Sequence, residues 1–95
     1  MKWLIPLMLL ATVACSSNSK LSHDAKNVKV FGSKPDSDCE VVGKVIGINE
    51  EGSVELARNH ARNMVADQDG NAIVFDEEVA NGSVFKVYST GYKCP

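Results

Sequence analysis

Asn81-Gly82 stands between two runs, residues 72–79 and 83–94, that are rich in Val, Phe, Tyr and Thr. Asn and Gly both accept the left-handed backbone of a two-residue hairpin loop, so this dipeptide between strand-forming runs commits the chain to an antiparallel pair. With Asn81 and Gly82 as the central residues of a type I′ turn, Val79 is expected opposite Val84, Glu77 opposite Lys86 and Phe75 opposite Tyr88. An apolar pair, an opposite-charge pair and an aromatic pair then fall on one face.

Two further segments have strand character, the short apolar run 28–31 and the Val- and Ile-rich run 40–48. Between the second and third strands, residues 53–69 read as a helix. Ser53 caps its start, Glu55 sits in its first turn, and Gly70 is expected to stop it in a left-handed conformation. On a wheel of 3.6 residues per turn Val54, Ala57, Ala61, Met64 and Val65 share one stripe, with Arg58 and Arg62 toward the other flank. Ala57 and Ala61 permit close approach to a sheet. Gly43 and Gly47 leave one face of the second strand bare, which fits either that approach or a bulge. The expected fold is α+β: a small four-stranded, mainly antiparallel sheet in the order β-β-α-β-β, with one helix packed on it.

The folded part, residues 27–95, is small enough that an apolar core alone leaves it marginal. Cys39 and Cys94 are therefore expected to form a disulfide, closing a loop worth about 4 kcal/mol in the chain-entropy model. The competing uses are a redox-active pair or a thiolate metal site completed by His60. No Cys-x-x-Cys spacing supports the first, and only His23 and His60 are at hand for the second.

The other end of the chain sets the compartment. Met1-Lys2 precedes an uncharged run, residues 3–14, that reaches roughly 18 Å as a helix at 1.5 Å per residue. A hydrocarbon core of about 30 Å is out of its range, so it reads as a cleaved secretory segment. It ends in Thr12-Val13-Ala14-Cys15-Ser16, which resembles the lipobox of bacterial lipoproteins, although those usually carry Leu where Thr12 stands. The resemblance implies cleavage between Ala14 and Cys15, a diacylglycerol on the Cys15 thiol and acylation of the freed amine. Multiple acyl chains make such an anchor effectively permanent. Ser16 after the cysteine implies sorting to the outer membrane, with the domain facing the periplasm.

Removing residues 1–14 takes Lys2 from the ten basic residues and leaves all twelve acidic ones, moving the formal charge from −2 to −3. Such a surface has no footprint for nucleic acid and no polybasic patch for anionic lipid. Residues 16–26 show no periodicity and read, with Cys15, as a flexible tether. His23-Asp24 within it is read as solvated residues.

His60, at the edge of the helix stripe, could be a ligand or a pH sensor but is read as structural, since no acid or second histidine follows at helical spacing. Asp76-Glu77-Glu78 is read as a solvated hairpin with one cross-strand ion pair, because strand alternation sends Glu77 to the opposite face from its neighbours. No Ser/His/Asp set, phosphate loop or nucleophile elbow is present, which gives enzymatic function little support and names no cofactor.

Residues 38–45 (DCEVVGKV), 57–61 (ARNHA), 70–74 (GNAIV) and 91–94 (GYKC) are together similar to small lipoproteins of Gram-negative bacteria. Their domain resembles that of the Rcs envelope-stress sensor lipoprotein. The resemblance implies a compact sheet with one packed helix. The expected role is a non-enzymatic envelope module, anchored in the membrane and recognising an envelope protein, peptidoglycan or a small ligand. The alternative is a metal- or redox-sensing domain using Cys39, Cys94 and His60.

Overall fold

The computed structural model describes residues 20–95. The expected secretory segment, the expected cleavage and lipidation site at Ala14-Cys15 and the expected tether as far as residue 19 lie outside the described residues. Five elements follow a short 3-10 turn at Asp24–Asn27: β1 (Lys29–Phe31), β2 (Glu40–Asn49), α1 (Val54–Asp67), β3 (Ala72–Asn81) and β4 (Val84–Lys93). The strands form one sheet in the order β1-β3-β4-β2. β4 pairs antiparallel with both β2 and β3, and β1 adds to β3 in parallel. The expected α+β class, with one helix on a four-stranded and mainly antiparallel sheet, is the fold.

The helix is built locally. Ser53 is extended and its hydroxyl accepts from the Leu56 amide at 3.2 Å, one of the donors a helix start leaves open. Ahead of it, the buried Asn49 side chain accepts from Glu51 N–H at 2.9 Å and Ser53 N–H at 3.0 Å, which turns the chain from β2 into α1. The exit differs from expectation in one residue. Asp69, not Gly70, takes the left-handed conformation (φ 65°), while Gly70 N–H bonds Val65 O and Asp69 N–H bonds Ala66 O in a Schellman cap. Gly70 is needed for space: a Cβ there would stand 2.5 Å from Val65 Cγ1.

Ala57, Ala61 and Val65 are fully buried, the last two in one cluster with Val28, Val45 and Ile73. Both readings of the β2 glycines hold, at different positions. The β2–β4 register shifts between Val41 and Gly43, a bulge, whereas a Cβ at Gly47 would collide with the Ala57 carbonyl and the Ala61 backbone. The helix can rest on β2 because Gly47 has no side chain.

The hairpin forms, but one residue out of the expected register. Asn81 pairs with Val84, so the central residues are Gly82 and Ser83, with Gly82 alone at positive φ (66°). This is the glycine-first pattern of a type II′ turn. A further shift between Phe75 and Glu77 leaves Asp76 as the extra residue of a bulge. The pairs expected at Val79/Val84, Glu77/Lys86 and Phe75/Tyr88 are therefore replaced by Val79/Lys86, Glu77/Tyr88 and Phe75/Ser89.

The ordered domain begins earlier than Asn27. The Asn63 side chain donates to Lys20 O at 2.7 Å and accepts from Ser22 N–H at 2.8 Å, and Arg62 donates to Ala25 O and Val28 O. Ala25 is fully buried and Val28 belongs to the main core. Residues 20–26, expected as tether, are thus strapped to α1.

Candidate functional site

The sheet has two faces, and α1 covers one. On the other, the two ends differ. At one end Tyr92, Ala72 and Val74 are buried under Phe31 and the disulfide. Cys39 immediately precedes β2 and Cys94 immediately follows β4, so the bridge (Cα–Cα 4.2 Å) joins neighbouring strands at their ends. Asn71 holds the same corner, accepting from Cys94 N–H at 2.7 Å and donating to Cys94 O at 2.8 Å. Beside the bridge lies a hollow of about 430 Å³ walled by Phe31, Lys34, Pro35, Asp36 and Asp38.

At the far end the face is uncovered. Ile46, Ile48, Val79 and Tyr88 are between 37% and 43% exposed, an unusual share for large apolar side chains on adjacent strands. Ile46 pairs with Tyr88 and Ile48 with Lys86, placing the four side by side across β2, β4 and β3. Tyr88 stands between two depressions. One, of about 450 Å³, is bounded by Lys44, Ile46, Asp76 and Glu77; the other, of about 410 Å³, by Glu50, Val79, Asn81, Val84 and Lys86. The surface is an apolar strip with charges of both signs along its borders, suited to recognising a surface by contact.

The bulge at Asp76 corrects the expected arrangement of the acidic cluster. Asp76 accepts from Thr90 Oγ1 at 2.7 Å, and Asp76 and Glu77 border the same depression, because the extra residue cancels one step of the alternation. Glu78 emerges on the helix side. The ion pair there is Arg58–Glu78, not Glu77–Lys86: Arg58 grips the carboxylate with two nitrogens, Nη2 at 2.8 Å, and its guanidinium lies 5.9 Å from the Phe75 ring centre. The bond from Arg58 holds the Glu78 carboxyl below its ordinary range, and Glu78 in turn raises Arg58 above its own.

Cys39, Cys94 and His60 are not brought together. The first two are bonded to each other, and His60 Nδ1 accepts from Ile48 N–H at 3.0 Å, near the opposite end of β2. Nine residue steps along β2 separate Cys39 from Ile48, roughly 30 Å at about 3.3 Å each. Among the described residues no three His, Cys, Asp or Glu side chains are grouped to hold a metal. His23 and Asp24 sit at the start of the 3-10 turn, both exposed.

Sequence reasoning missed the uncovered strip. Its signal was present in β2, where Ile46 and Ile48 place apolar side chains on the face opposite Val45 and Gly47. A strand that is apolar on both sides announces a second contact surface.

These features define a small disulfide-closed α+β domain with one helix-covered and one partly open sheet face. No protein-family model matches the chain, and no solved structure matches it. It is similar to "Uncharacterized protein YjeI" of Escherichia coli (strain K12), at 27% identity over 103 residues, covering 90% of this chain and 88% of the relative. A similar protein under the same description in Shigella flexneri matches to the same extent. Among the described residues no helix is long and apolar enough to cross a membrane.

Proposed function

We infer that this protein is a lipid-anchored lipoprotein of the bacterial envelope, sorted to the outer membrane, whose periplasmic domain is a non-enzymatic binding or sensing module. The observation that carries the reading is the assignment of the cysteines. Of three in the chain, Cys39 and Cys94 are bonded to each other, which leaves Cys15 as the remaining thiol, directly after the small residues that close the apolar run. A cross-linked Cys39–Cys94 pair in a domain of this size also suits an oxidising compartment. The uncovered strip around Tyr88 is the surface such a module offers to another envelope component.

Mass spectrometry of the protein extracted from its own cells tests the reading. The expected mass begins at Cys15 and includes a diacylglycerol and an N-acyl chain, and Cys15→Ser is expected to leave an uncleaved or unanchored chain outside the outer-membrane fraction. A mature protein with a bare Cys15 thiol overturns it. Cross-linking in intact cells followed by capture, comparing the native chain with Tyr88→Ala, then reports whether the strip engages a partner.

A further inference from the structure

Where the chain leaves the folded domain decides how that domain must sit on a membrane. Lys20 is the first described residue, and it is pinned to Asn63 through its carbonyl at 2.7 Å, with Ser22 bonded to the same side chain. On α1, Ala57, Ala61 and Val65 face the sheet, all fully buried. At about 100° per residue Asn63 lies about 160° around the helix from Ala61, as does Asn59. The exit point therefore lies beside Asn63, on the side of the helix turned away from the sheet. The uncovered strip of Ile46, Ile48, Val79 and Tyr88 is on the opposite face of the sheet.

Between Cys15 and Lys20 there are five Cα–Cα steps, which span at most roughly 18 Å when fully extended. We propose that the outer side of α1, centred on Asn59 and Asn63, lies against the lipid headgroups, and that the strip around Tyr88 is turned away from the bilayer. The proposal rests on the reading of Cys15 as the lipid carrier. With a longer tether the domain would tumble freely; with five steps ending on one surface, that surface is the one held to the membrane. Charge does not set the orientation. Along the strap and the helix Lys20 and Lys26 are exposed, but so are Asp24, Glu55 and Asp67. The constraint is covalent length together with the hydrogen bonds of Asn63 and Arg62 that fix the exit point. In consequence the apolar strip faces the side from which a second envelope component would approach.

The only tryptophan, Trp3, is lost with the secretory segment, so an introduced Trp reports alone in the mature chain. Asn59→Trp marks the outer helix and Tyr88→Trp the strip; Glu55→Trp and Ile46→Trp repeat the comparison at exposed positions in case either first variant misfolds. Each is measured in vesicles of phosphatidylethanolamine and phosphatidylglycerol containing a headgroup-nitroxide lipid, once as the natural lipoprotein and once as a chain coupled at Cys15 to a maleimide lipid. The sites are separated by the helix and the sheet, on the order of 15 Å, so quenching roughly two-fold or more stronger at the helix positions is expected. Equal quenching, or stronger quenching at Tyr88 and Ile46, in the coupled chain overturns the orientation whatever Cys15 carries in the cell. Asymmetry in the coupled chain alongside a natural protein that carries no lipid and does not float with vesicles supports the orientation and overturns the anchor instead.

Discussion

The Ile48 amide donates to Nδ1 of His60 at 3.0 Å, a bond from the edge strand β2 to the helix that lies over it. β2 pairs only with β4, so every second amide along it points out of the sheet with no strand to receive it. An unpaired edge of this kind templates association with other chains. His60 occupies one of those positions, with Nδ1 as the acceptor and the proton therefore on Nε2.

His60→Ala is expected to cost about 0.5–1.5 kcal/mol, the net worth of one intramolecular hydrogen bond. Its second effect is a longer open edge. Urea unfolding measures the first and concentration-dependent light scattering the second; an unchanged midpoint would show that water replaces the imidazole without loss.

The bridge between Cys39 and Cys94, 55 residues apart, restricts the unfolded chain far more than the folded one. Removing it by Cys39→Ser with Cys94→Ser should cost about 4 kcal/mol in the chain-entropy model. In a domain of this size that is most of the stability. Thermal unfolding with and without reductant checks it, and the reduced native chain should melt like the double variant.

Gly47→Ala drives a methyl into the Ala57 carbonyl and the Ala61 backbone, and neither can move without lifting α1 from β2. The expected penalty is about 1–3 kcal/mol, as for overpacking elsewhere. Gly32→Ala is the matched control, since a Cβ there meets nothing within 4 Å. Equal unfolding midpoints for the two variants would contradict the close approach.

Arg62→Ala removes both donors to Ala25 O and Val28 O. The strap formed by residues 20–28 should then open locally, and limited trypsin cleavage after Lys20 and Lys26 should quicken while the remainder of the sheet stays protected. A cleavage rate equal to that of the native chain would mean that Ala25 and Val28 hold the strap by burial alone.

Arg58 and Glu78 supply a pH dependence with a defined sign. The folded-state Glu78 carboxyl titrates below its unfolded value, chiefly through its bond to Arg58. Its contribution is present above the ordinary carboxylate range and is lost as pH falls through the folded-state value. Both side chains are substantially solvated, at 42% and 32% exposure, so after screening Glu78→Gln should cost no more than about 1 kcal/mol near neutrality. Comparing urea midpoints of the two proteins near neutrality and at steps below the ordinary carboxylate range should show that gap narrowing as the native carboxylate takes up its proton.

The sequence by itself determined much of what local chemistry decides, though not which residue turns the helix exit or the exact turn of the hairpin. The Ser53 cap, the Ala57/Ala61/Val65 stripe and the existence of a turn around Gly82 all follow from backbone preferences and side-chain spacing within a few residues. The pairing of Cys39 with Cys94 was expected from two cysteines, besides Cys15, in a domain too small for an apolar core alone to hold. Tertiary structure alone decided the register of β3 on β4, because the bulge at Asp76 answers to Thr90 and to the strand it pairs with, and one extra residue reassigns Asp76 and Glu77 to a shared face. It also decided the parallel addition of β1 to β3, the strapping of residues 20–28 by Arg62 and Asn63, and the union of Ile46, Ile48, Val79 and Tyr88 into one exposed strip. These relationships join residues far apart in the chain, where no local preference acts and only packing and hydrogen-bond satisfaction select the partner.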